Sequence, residues 1–171
     1  MTDTKQPAAF VTVTCLNWIP VLQADRLKEV VIDSLRFLVQ EKRIRVDAFA
    51  IMPNHFHLIW QMLGDHLQHD VQRDFLRFTG QQILKHLRNE NSPLLQRLRV
   101  DAKDRKHQVW ERNSLVVHLW SREVFNQKLE YIHDNPVKAG LCNLPEEYKY
   151  SSAQYYEENV RTWSFLTHYD D

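Results

Sequence analysis

The alternation of apolar and polar residues along the chain predicts four β-strands. Residues 10–16 (FVTVTCL) alternate apolar side chains with threonine, which is typical of a strand. Residues 43–52 form a second apolar run, and the turn Met52, Pro53, Asn54 separates it from a third, so the two runs predict a β-hairpin. A fourth strand is expected within residues 115–120.

Helical spacing of apolar residues predicts two long helices, one over residues 25–41 and one over about 69–89. A third helix is expected to begin after Ser121, a typical N-cap residue, and to end at Asn135 because Pro136 follows. Pro145 is expected to open a short helix. Residues 93–106 mix leucines with basic residues and favour no single element.

The predicted order is therefore β-α-β-β-α-β followed by C-terminal helices. This order indicates an α+β protein with a ferredoxin-like (split βαβ) antiparallel sheet, two helices on one face and an open face available for a site. The 171 residues are enough for one domain with a substantial core. We expect that domain to span residues 1–171, with its core at about 8–156 and a tail at 157–171.

Composition narrows the class of protein. Basic and acidic residues number 22 each, and this zero formal charge counts against a protein that coats duplex DNA. Only three glycines are present, and no G-x-G-x-x-G or Walker pattern occurs. Cys15 and Cys142 lie far apart in no metal-binding spacing, which is typical of thiols in a reducing compartment. With no signal-peptide layout in MTDTKQPAAF and no membrane-length apolar run, we expect a cytoplasmic protein.

The third strand carries the first candidate site residues, His55 and His57. Side chains at positions i and i+2 of a strand point to the same face, so the two imidazoles are predicted to project side by side. Phe56, Leu58 and Trp60 then project from the opposite face. Two adjacent imidazoles on a rigid surface form half of a divalent-metal site.

The helix after Ser121 carries the second half of the candidate site. Phe125, Leu129 and Ile132 form its apolar stripe, whereas Tyr131 and Asn135, four residues apart, stack on a different stripe. A protonated tyrosine with a pKa of ~10 is a poor nucleophile, but it can attack a phosphate whose charge a divalent cation withdraws. The Asn135 carboxamide can supply an oxygen ligand, so Mg²⁺ or Mn²⁺ is expected.

Four stretches together resemble the single-tyrosine HUH (His-hydrophobic-His) transposases, and most closely the REP-associated tyrosine transposases. These stretches are MPNHFHLIW at residues 52–60, RDFLRFT at 73–79, YIHDNPVKAGL at 131–141 and YKYSSAQYY at 148–156. The likeness covers roughly residues 45–156. Its two main motifs, HFH and the stretch from Tyr131, are specific in combination, although either alone would be weak.

The resemblance implies that His55, His57 and Asn135 hold the metal and that Tyr131 is the nucleophile. In that family the tyrosine cuts single-stranded DNA beside a hairpin and leaves a 5′-phosphotyrosine and a free 3′-hydroxyl. The covalent link conserves the free energy of the phosphodiester, so strand joining needs no ATP. The implied partners are single-stranded DNA hairpins, either repetitive palindromic elements or insertion-sequence ends, bound by a monomer or homodimer in which the site forms within one chain or between two.

Several assignments have alternatives. His133 lies between Tyr131 and Asn135 and could be a neighbour or another ligand. The basic residues of the predicted helices either form a solvated surface or contact phosphates. If they contact phosphates, Arg73, Arg77 and Lys138 are the candidates. Trp110 and Trp120 could stack on bases, but we expect both in the core.

Two other functions fit parts of the same sequence. One is a ferredoxin-like module that binds single-stranded nucleic acid without cutting it. The sequence lacks the aromatic strand signature that such RNA binders use. The other is a small zinc hydrolase that combines His55 and His57 with a distant histidine, although no third ligand has a clear place in the sequence.

Overall fold

The computed structural model describes residues 6–171, so the first five residues of the N-terminal stretch discussed above lie outside it. Within this range one four-stranded antiparallel sheet has the order β2-β3-β1-β4. The strands are β1 (Ala9–Thr14), β2 (Ile44–Ile51), β3 (His55–Met62) and β4 (Leu115–His118). The helices are α1 (Asp25–Gln40), α2 (Gln68–Asn89), α3 (Leu94–Arg97), α4 (Arg122–Lys138) and α5 (Ala153–Glu158). The predicted β-α-β-β-α-β order and ferredoxin-like class are confirmed.

The strand register places β3 between β2 and β1. Met52 N–H donates to the His55 carbonyl at 2.8 Å and closes the predicted hairpin. In the register, His57 lies opposite Thr12 of β1 on one side and Ala50 of β2 on the other, and His55 lies opposite Thr14. The histidine-bearing strand is thus an interior strand, which holds its side chains in fixed positions.

The two faces of the sheet pack against different helices. Phe56, Leu58 and Trp60 face the main core together with residues of α1 and α2. The tail expected outside the core contributes Trp163, Phe165 and Leu166 to this same cluster. On the opposite face, α4 forms a second, smaller cluster with the sheet, made of Phe10, Ala48, Ala50, Ile59, Leu119, Leu129 and Ile132. The face that we expected to be open is therefore partly covered by α4.

Helix α4 continues beyond its predicted end. Ser121 is the N-cap as predicted, and its hydroxyl accepts a hydrogen bond from the Val124 N–H at 3.2 Å. The helix does not end at Asn135 but runs to Lys138 with Pro136 inside it, so that prediction was wrong. Proline removes one backbone donor, so Pro136 breaks one helical hydrogen bond, and the helix continues for only two residues beyond it. Ala139 N–H and Leu141 N–H then bond the Asn135 and Pro136 carbonyls, at 3.0 Å each, and close the end.

The two tryptophans expected in the core differ from each other. Trp110 is buried, and its indole N–H donates to the Thr79 hydroxyl at 3.1 Å. Trp120 is 80 % exposed, so the expectation for this residue was wrong. It follows the last residue of β4, at the edge of the sheet, and precedes the N-cap of α4, where no apolar layer covers it. No helix within residues 6–171 combines the length and apolar character needed to cross a membrane.

Candidate active site

The two histidines of β3 lie side by side, as the strand spacing predicts. Their ring centroids are 4.8 Å apart, with an interplanar angle of 77°. His57 is 2 % exposed, whereas His55 is partly exposed at the end of the strand. Phe10 of β1 stacks on the His57 ring at 5.4 Å and closes one side of it. Other sides of the pair face Tyr131 and Asn135 of α4 and the indole of Trp18.

A hydrogen bond at Nδ1 orients each ring. His55 Nδ1 lies 2.7 Å from the Asn54 side-chain oxygen, and His57 Nδ1 lies 2.8 Å from the Thr12 hydroxyl. A neutral imidazole carries one hydrogen, and a hydrogen on Nδ1 is donated to these oxygens. Each Nε2 then presents a lone pair, which is the arrangement found in metal-binding histidines.

Asn135 completes a set of three donor atoms. Its side-chain oxygen lies 3.1 Å from His55 Nε2. Two neighbouring ligands of an octahedral cation with bonds of about 2.0–2.1 Å are roughly 2.9 Å apart, so this spacing fits a shared metal ion. His57 Nε2 is buried and has no hydrogen-bond partner among residues 6–171, although a buried polar atom ordinarily has one. The donor chemistry and the unpaired nitrogen fit a divalent cation.

Tyr131 stands beside these donors, one turn of α4 before Asn135. Its ring centroid is 5.2 Å from that of His57 and 6.0 Å from that of Phe10, edge to face in both cases. Leu129 and Ile132 bury the opposite side of α4 against the sheet, whereas Tyr131 remains 44 % exposed. The phenol is therefore fixed at the mouth of the site but open to a large substrate.

The environment keeps both imidazoles neutral. Burial, followed by the charges of His55 and Lys128, lowers the pKa of His57 to about 3. Burial also lowers the pKa of His55, and the hydrogen bond to Asn135 partly opposes that shift. Metal ligation requires deprotonated Nε2 atoms, so both residues are in the ligating state at neutral pH.

Three further residues belong to the site but were not assigned from sequence. Lys128 holds its ammonium 4.7 Å above the Phe10 ring and 5.8 Å from the Tyr131 ring, which adds positive charge beside the phenol. It lies three residues before Tyr131, so helical spacing could have indicated it. Thr12 and Trp18, whose ring is 5.7 Å from that of His55, come from a distant part of the sequence and gave no such signal.

His133 is excluded as an alternative ligand. Its Nε2 lies 2.8 Å from the buried Ser152 hydroxyl, and its ring packs against Tyr156 at 5.3 Å. Burial lowers its pKa to about 4. The side chain points into the packing between α4 and the C-terminal segment, so it is a structural histidine.

The predicted phosphate contacts occupy two different places. Lys138 is exposed on α4, seven residues after Tyr131 and three after Asn135, which puts it on the stripe that carries both. Arg73 and Arg77 are exposed on α2, whose helix layer lies across the sheet from the histidines. Arg73 already contacts Asp70 and Asp74, at 3.0 Å each. The structure therefore brings Lys138, but not the two arginines, to the candidate site.

A large groove lies away from this site. It has a volume of about 850 Å³ and runs between α1 and α2, with Phe37, Phe78 and other apolar side chains on its walls. Its charged lining includes Asp33, Asp65, Asp70, Asp74, Arg43, His66 and His86. Four carboxylates disfavour a phosphate backbone, so we do not assign DNA binding to this groove.

The candidate metal donors are not histidine, cysteine and carboxylate ligands alone. In the described part of the chain, no group of three or more such side chains could hold a metal ion. The third donor beside the histidine pair is instead the amide oxygen of Asn135. This donor set disfavours the zinc hydrolase alternative, because zinc sites are built mainly from histidine, cysteine and carboxylates.

Comparison with known proteins identifies the fold. No protein-family profile matches the chain, and no curated protein matches it in sequence. A solved REP-associated tyrosine transposase bound to a REP hairpin superimposes with a TM-score of 0.66 and 16 % identity, over 93 % of this chain and 82 % of that one. A candidate transposase from Deinococcus radiodurans R1 superimposes with a TM-score of 0.54 and 15 % identity, over 78 % and 94 % of the two chains. The chain therefore has the fold of these transposases.

Proposed function

We propose that this protein is a DNA transposase or hairpin endonuclease that cuts single-stranded DNA with Tyr131. The shared fold supports a DNA-processing enzyme, and the neighbour bound to a REP hairpin supports a hairpin as the substrate. The candidate substrates are repetitive palindromic elements or insertion-sequence ends.

One observation carries the proposal. The phenol of Tyr131 lies beside His57, whose Nε2 is buried and unpaired within residues 6–171. His55 Nε2 and the Asn135 oxygen are 3.1 Å apart in the same place. A partly exposed nucleophile next to three convergent metal donors is suited to attack a phosphate. The DNA strand must be flexible to bring that phosphate into the site.

We assign the metal to His55, His57 and Asn135. Bound Mg²⁺ or Mn²⁺ would withdraw charge from the non-bridging oxygens of the scissile phosphate. Thr12 and Asn54 orient the two histidine rings through hydrogen bonds, and the apolar Phe10 ring covers one side of His57. These groups hold the donor atoms in place before the substrate arrives, which lowers the cost of organising the site.

The proposed step is a transesterification. The Tyr131 oxygen forms a bond to phosphorus as it loses its proton, and the bond from phosphorus to the 3′ oxygen breaks. The leaving oxygen gains a proton and becomes a 3′-hydroxyl, while the 5′ phosphate stays on the tyrosine. The number of phosphoester bonds is unchanged, so the reverse reaction with another 3′-hydroxyl joins strands without a nucleotide cofactor.

Lys128 and Lys138 supply positive charge along the same helix. The Lys128 ammonium lies beside Tyr131 and is proposed to attract the phosphate that Tyr131 attacks. Lys138, at the C-terminal end of α4, is proposed to contact a phosphate farther along the strand. Arg73 and Arg77 remain predicted contacts for a DNA segment that passes around to the α2 side.

The test is covalent trapping. A DNA hairpin with a nick near the cleavage point lets the short leaving strand diffuse away, so the adduct accumulates in Mn²⁺ and is read on a denaturing gel. We expect an adduct with the wild type and none with Tyr131→Phe. Tyr155→Phe is the matched control, because it also removes one tyrosine hydroxyl, but Tyr155 packs against the main core and not against the histidine pair.

Three outcomes would contradict the proposal. An adduct on Tyr131→Phe would exclude this nucleophile. Hairpin binding without cleavage in Mg²⁺ or Mn²⁺ would favour the non-cleaving nucleic-acid module. One tightly held zinc ion per chain would favour the zinc hydrolase.

A further inference from the structure

Trp18 is exposed although it lies between two buried residues of the chain, Leu16 and Ile19. It lies in a short 3₁₀ segment, Leu16–Trp18, that directly follows β1. Leu16 and Ile19 on either side are buried, whereas the indole is 59 % exposed. An exposed tryptophan side chain lacks the large favourable free energy that burial would provide, so its orientation needs an explanation.

The backbone of this segment is held in an unfavourable conformation. Asn17 and Trp18 have φ values of 50° and 57°, the left-handed region that bulky side chains rarely adopt. Leu16 N–H bonds the Val109 carbonyl, and Asn17 N–H bonds the Glu111 carboxylate, at 2.7 Å each. These bonds to a distant segment stabilise the turn that directs the indole outward. Strained backbone conformations that the surrounding structure stabilises are concentrated at functional sites.

The indole is next to the candidate metal donors. Its centroid is 5.7 Å from that of His55, with an interplanar angle of 69°. β1 ends at Thr14, which pairs with His55, so the turn that follows lies at the end of the sheet where His55 is partly exposed. A strand whose phosphate reaches His55 therefore passes the Trp18 indole.

We propose that Trp18 is a stacking platform for an unpaired nucleobase next to the scissile phosphate. The inference rests on the proposed function and names the part of the substrate that this surface binds, a base of single-stranded DNA. Aromatic side chains stack on any base, so the contact fixes the position of the strand rather than its sequence. Trp18 is thus a positioning residue for the phosphate that Tyr131 attacks.

Trp120 provides the matched comparison. It is even more exposed, but it follows His118, which pairs with Ala9 at the opposite end of β1 from the histidine site. The two tryptophans therefore share exposure and differ in location. Only Trp18 is expected to contact the base beside the cleavage point.

The test uses a DNA hairpin with an eight-nucleotide single-stranded flank in which 2-aminopurine replaces one base at a time. All proteins carry Tyr131→Phe, so that binding is measured without cleavage. Stacking quenches 2-aminopurine, and we expect strong quenching at one flank position. Trp18→Ala should abolish that quenching and weaken binding about tenfold. Trp18→Phe should retain most of both, and Trp120→Ala should change neither.

Each result supports or overturns the inference. Quenching that survives Trp18→Ala at every position, or that Trp120→Ala removes instead, would overturn it. A second set of the same proteins keeps Tyr131, so that the adduct can form. A normal adduct in this set, together with quenching that Trp18→Ala leaves unchanged, would overturn this inference alone. Quenching that depends on Trp18, with no adduct in the proteins that keep Tyr131, would overturn only the proposed cleavage. Failure of every hairpin to bind would overturn both.

Discussion

The orientation of His57 depends on a single hydroxyl group from the neighbouring strand. Thr12 Oγ1 lies 2.8 Å from His57 Nδ1, and the two residues face each other in the register of β1 and β3. This contact keeps the hydrogen on Nδ1 and the lone pair on Nε2. A metal-binding histidine depends on such a partner for its tautomer and ring orientation.

We expect Thr12→Val, which keeps the shape and removes the hydroxyl, to lower Mn²⁺ affinity about 10–100-fold. The free energy of unfolding should fall by about 1–3 kcal/mol, because His57 Nδ1 stays buried without a hydrogen-bond partner. Calorimetric titration with Mn²⁺ measures the first effect and urea unfolding the second. Thr162→Val is the control, because it removes an exposed hydroxyl that bonds Gln154 at 3.0 Å. Unchanged Mn²⁺ affinity in Thr12→Val would contradict this role.

The candidate site residues whose proximity could be predicted from the sequence are those whose partners lie close along the chain. The i, i+2 spacing of His55 and His57 and the i, i+4 spacing of Tyr131 and Asn135 follow from strand and helix geometry. Thr12 required the pairing of two strands 45 residues apart, which spacing along one element does not encode. Trp18 required a left-handed conformation, which the preference of Asn17 allows but the bulky side chain of Trp18 itself disfavours.

At the scale of elements, small side chains on β2 bring α4 close to the sheet. Ala48 and Ala50 are fully buried beneath Leu129 and Ile132, and Ala50 faces His57 in the strand register. A larger residue at position 50 would push α4 outward and carry Tyr131 and Asn135 away from the histidines. The spacing between helix and sheet therefore sets the geometry of the site.

We expect Ala50→Leu to destabilise the fold by about 1–3 kcal/mol through overpacking and to abolish both Mn²⁺ binding and the covalent adduct. Val31→Ala is the stability-matched control: it creates a cavity of similar cost, about 2 kcal/mol, in the core on the other side of the sheet. At a temperature where both variants remain folded, adduct yield should be lost only in Ala50→Leu. Equal yields would show that α4 tolerates the displacement.

The packing of α4 was only partly predictable. Its core stripe was read correctly from the spacing of Leu129 and Ile132, both of which are buried. Its end was placed too early, because Pro136 breaks one helical hydrogen bond without ending the helix, which continues to Lys138. That the helix would cover the second face of the sheet could not be predicted, since this depends on contacts with Phe10 and Ala50 from distant strands.

At the scale of the whole molecule, buried histidines couple stability to pH. Burial lowers the pKa of His57 to about 3 and that of His133 to about 4, against about 6.5 in an unfolded chain. Below pH 6.5 the unfolded state therefore binds more protons than the folded state. Stability is full above this pH and is lost as the pH falls toward the folded values.

For each of these two histidines we expect a loss of about 2 kcal/mol between pH 7 and pH 5. Urea unfolding with a chelator present measures this loss in the wild type and in His133→Gln. Between pH 7 and pH 5, the free energy of unfolding of the variant should fall by about 2 kcal/mol less than that of the wild type. The difference between the two proteins isolates His133 from other titrating groups such as the buried Asp47, whose pKa is raised by burial. Parallel curves would contradict the assignment.

The last prediction concerns whether one chain contains the complete site. Only three residues separate the end of β4 from the start of α4, and α4 packs on the sheet of its own chain. Tyr131 consequently lies 5.2 Å from His57 of the same chain, ring to ring. A site assembled in this way needs nothing from a second copy, whether or not the protein forms dimers.

Mixing Tyr131→Phe with His57→Ala should therefore give no covalent adduct on the hairpin substrate. If two chains exchanged α4, random pairing would restore roughly a quarter of the wild-type sites, because half of the dimers would be mixed and each would hold one intact site. The measurement is adduct yield on a denaturing gel after the two variants are unfolded and refolded together. Co-refolded wild type and Tyr131→Phe serve as the positive control. Adduct at a quarter of the wild-type level would show that Tyr131 acts on the metal donors of its partner.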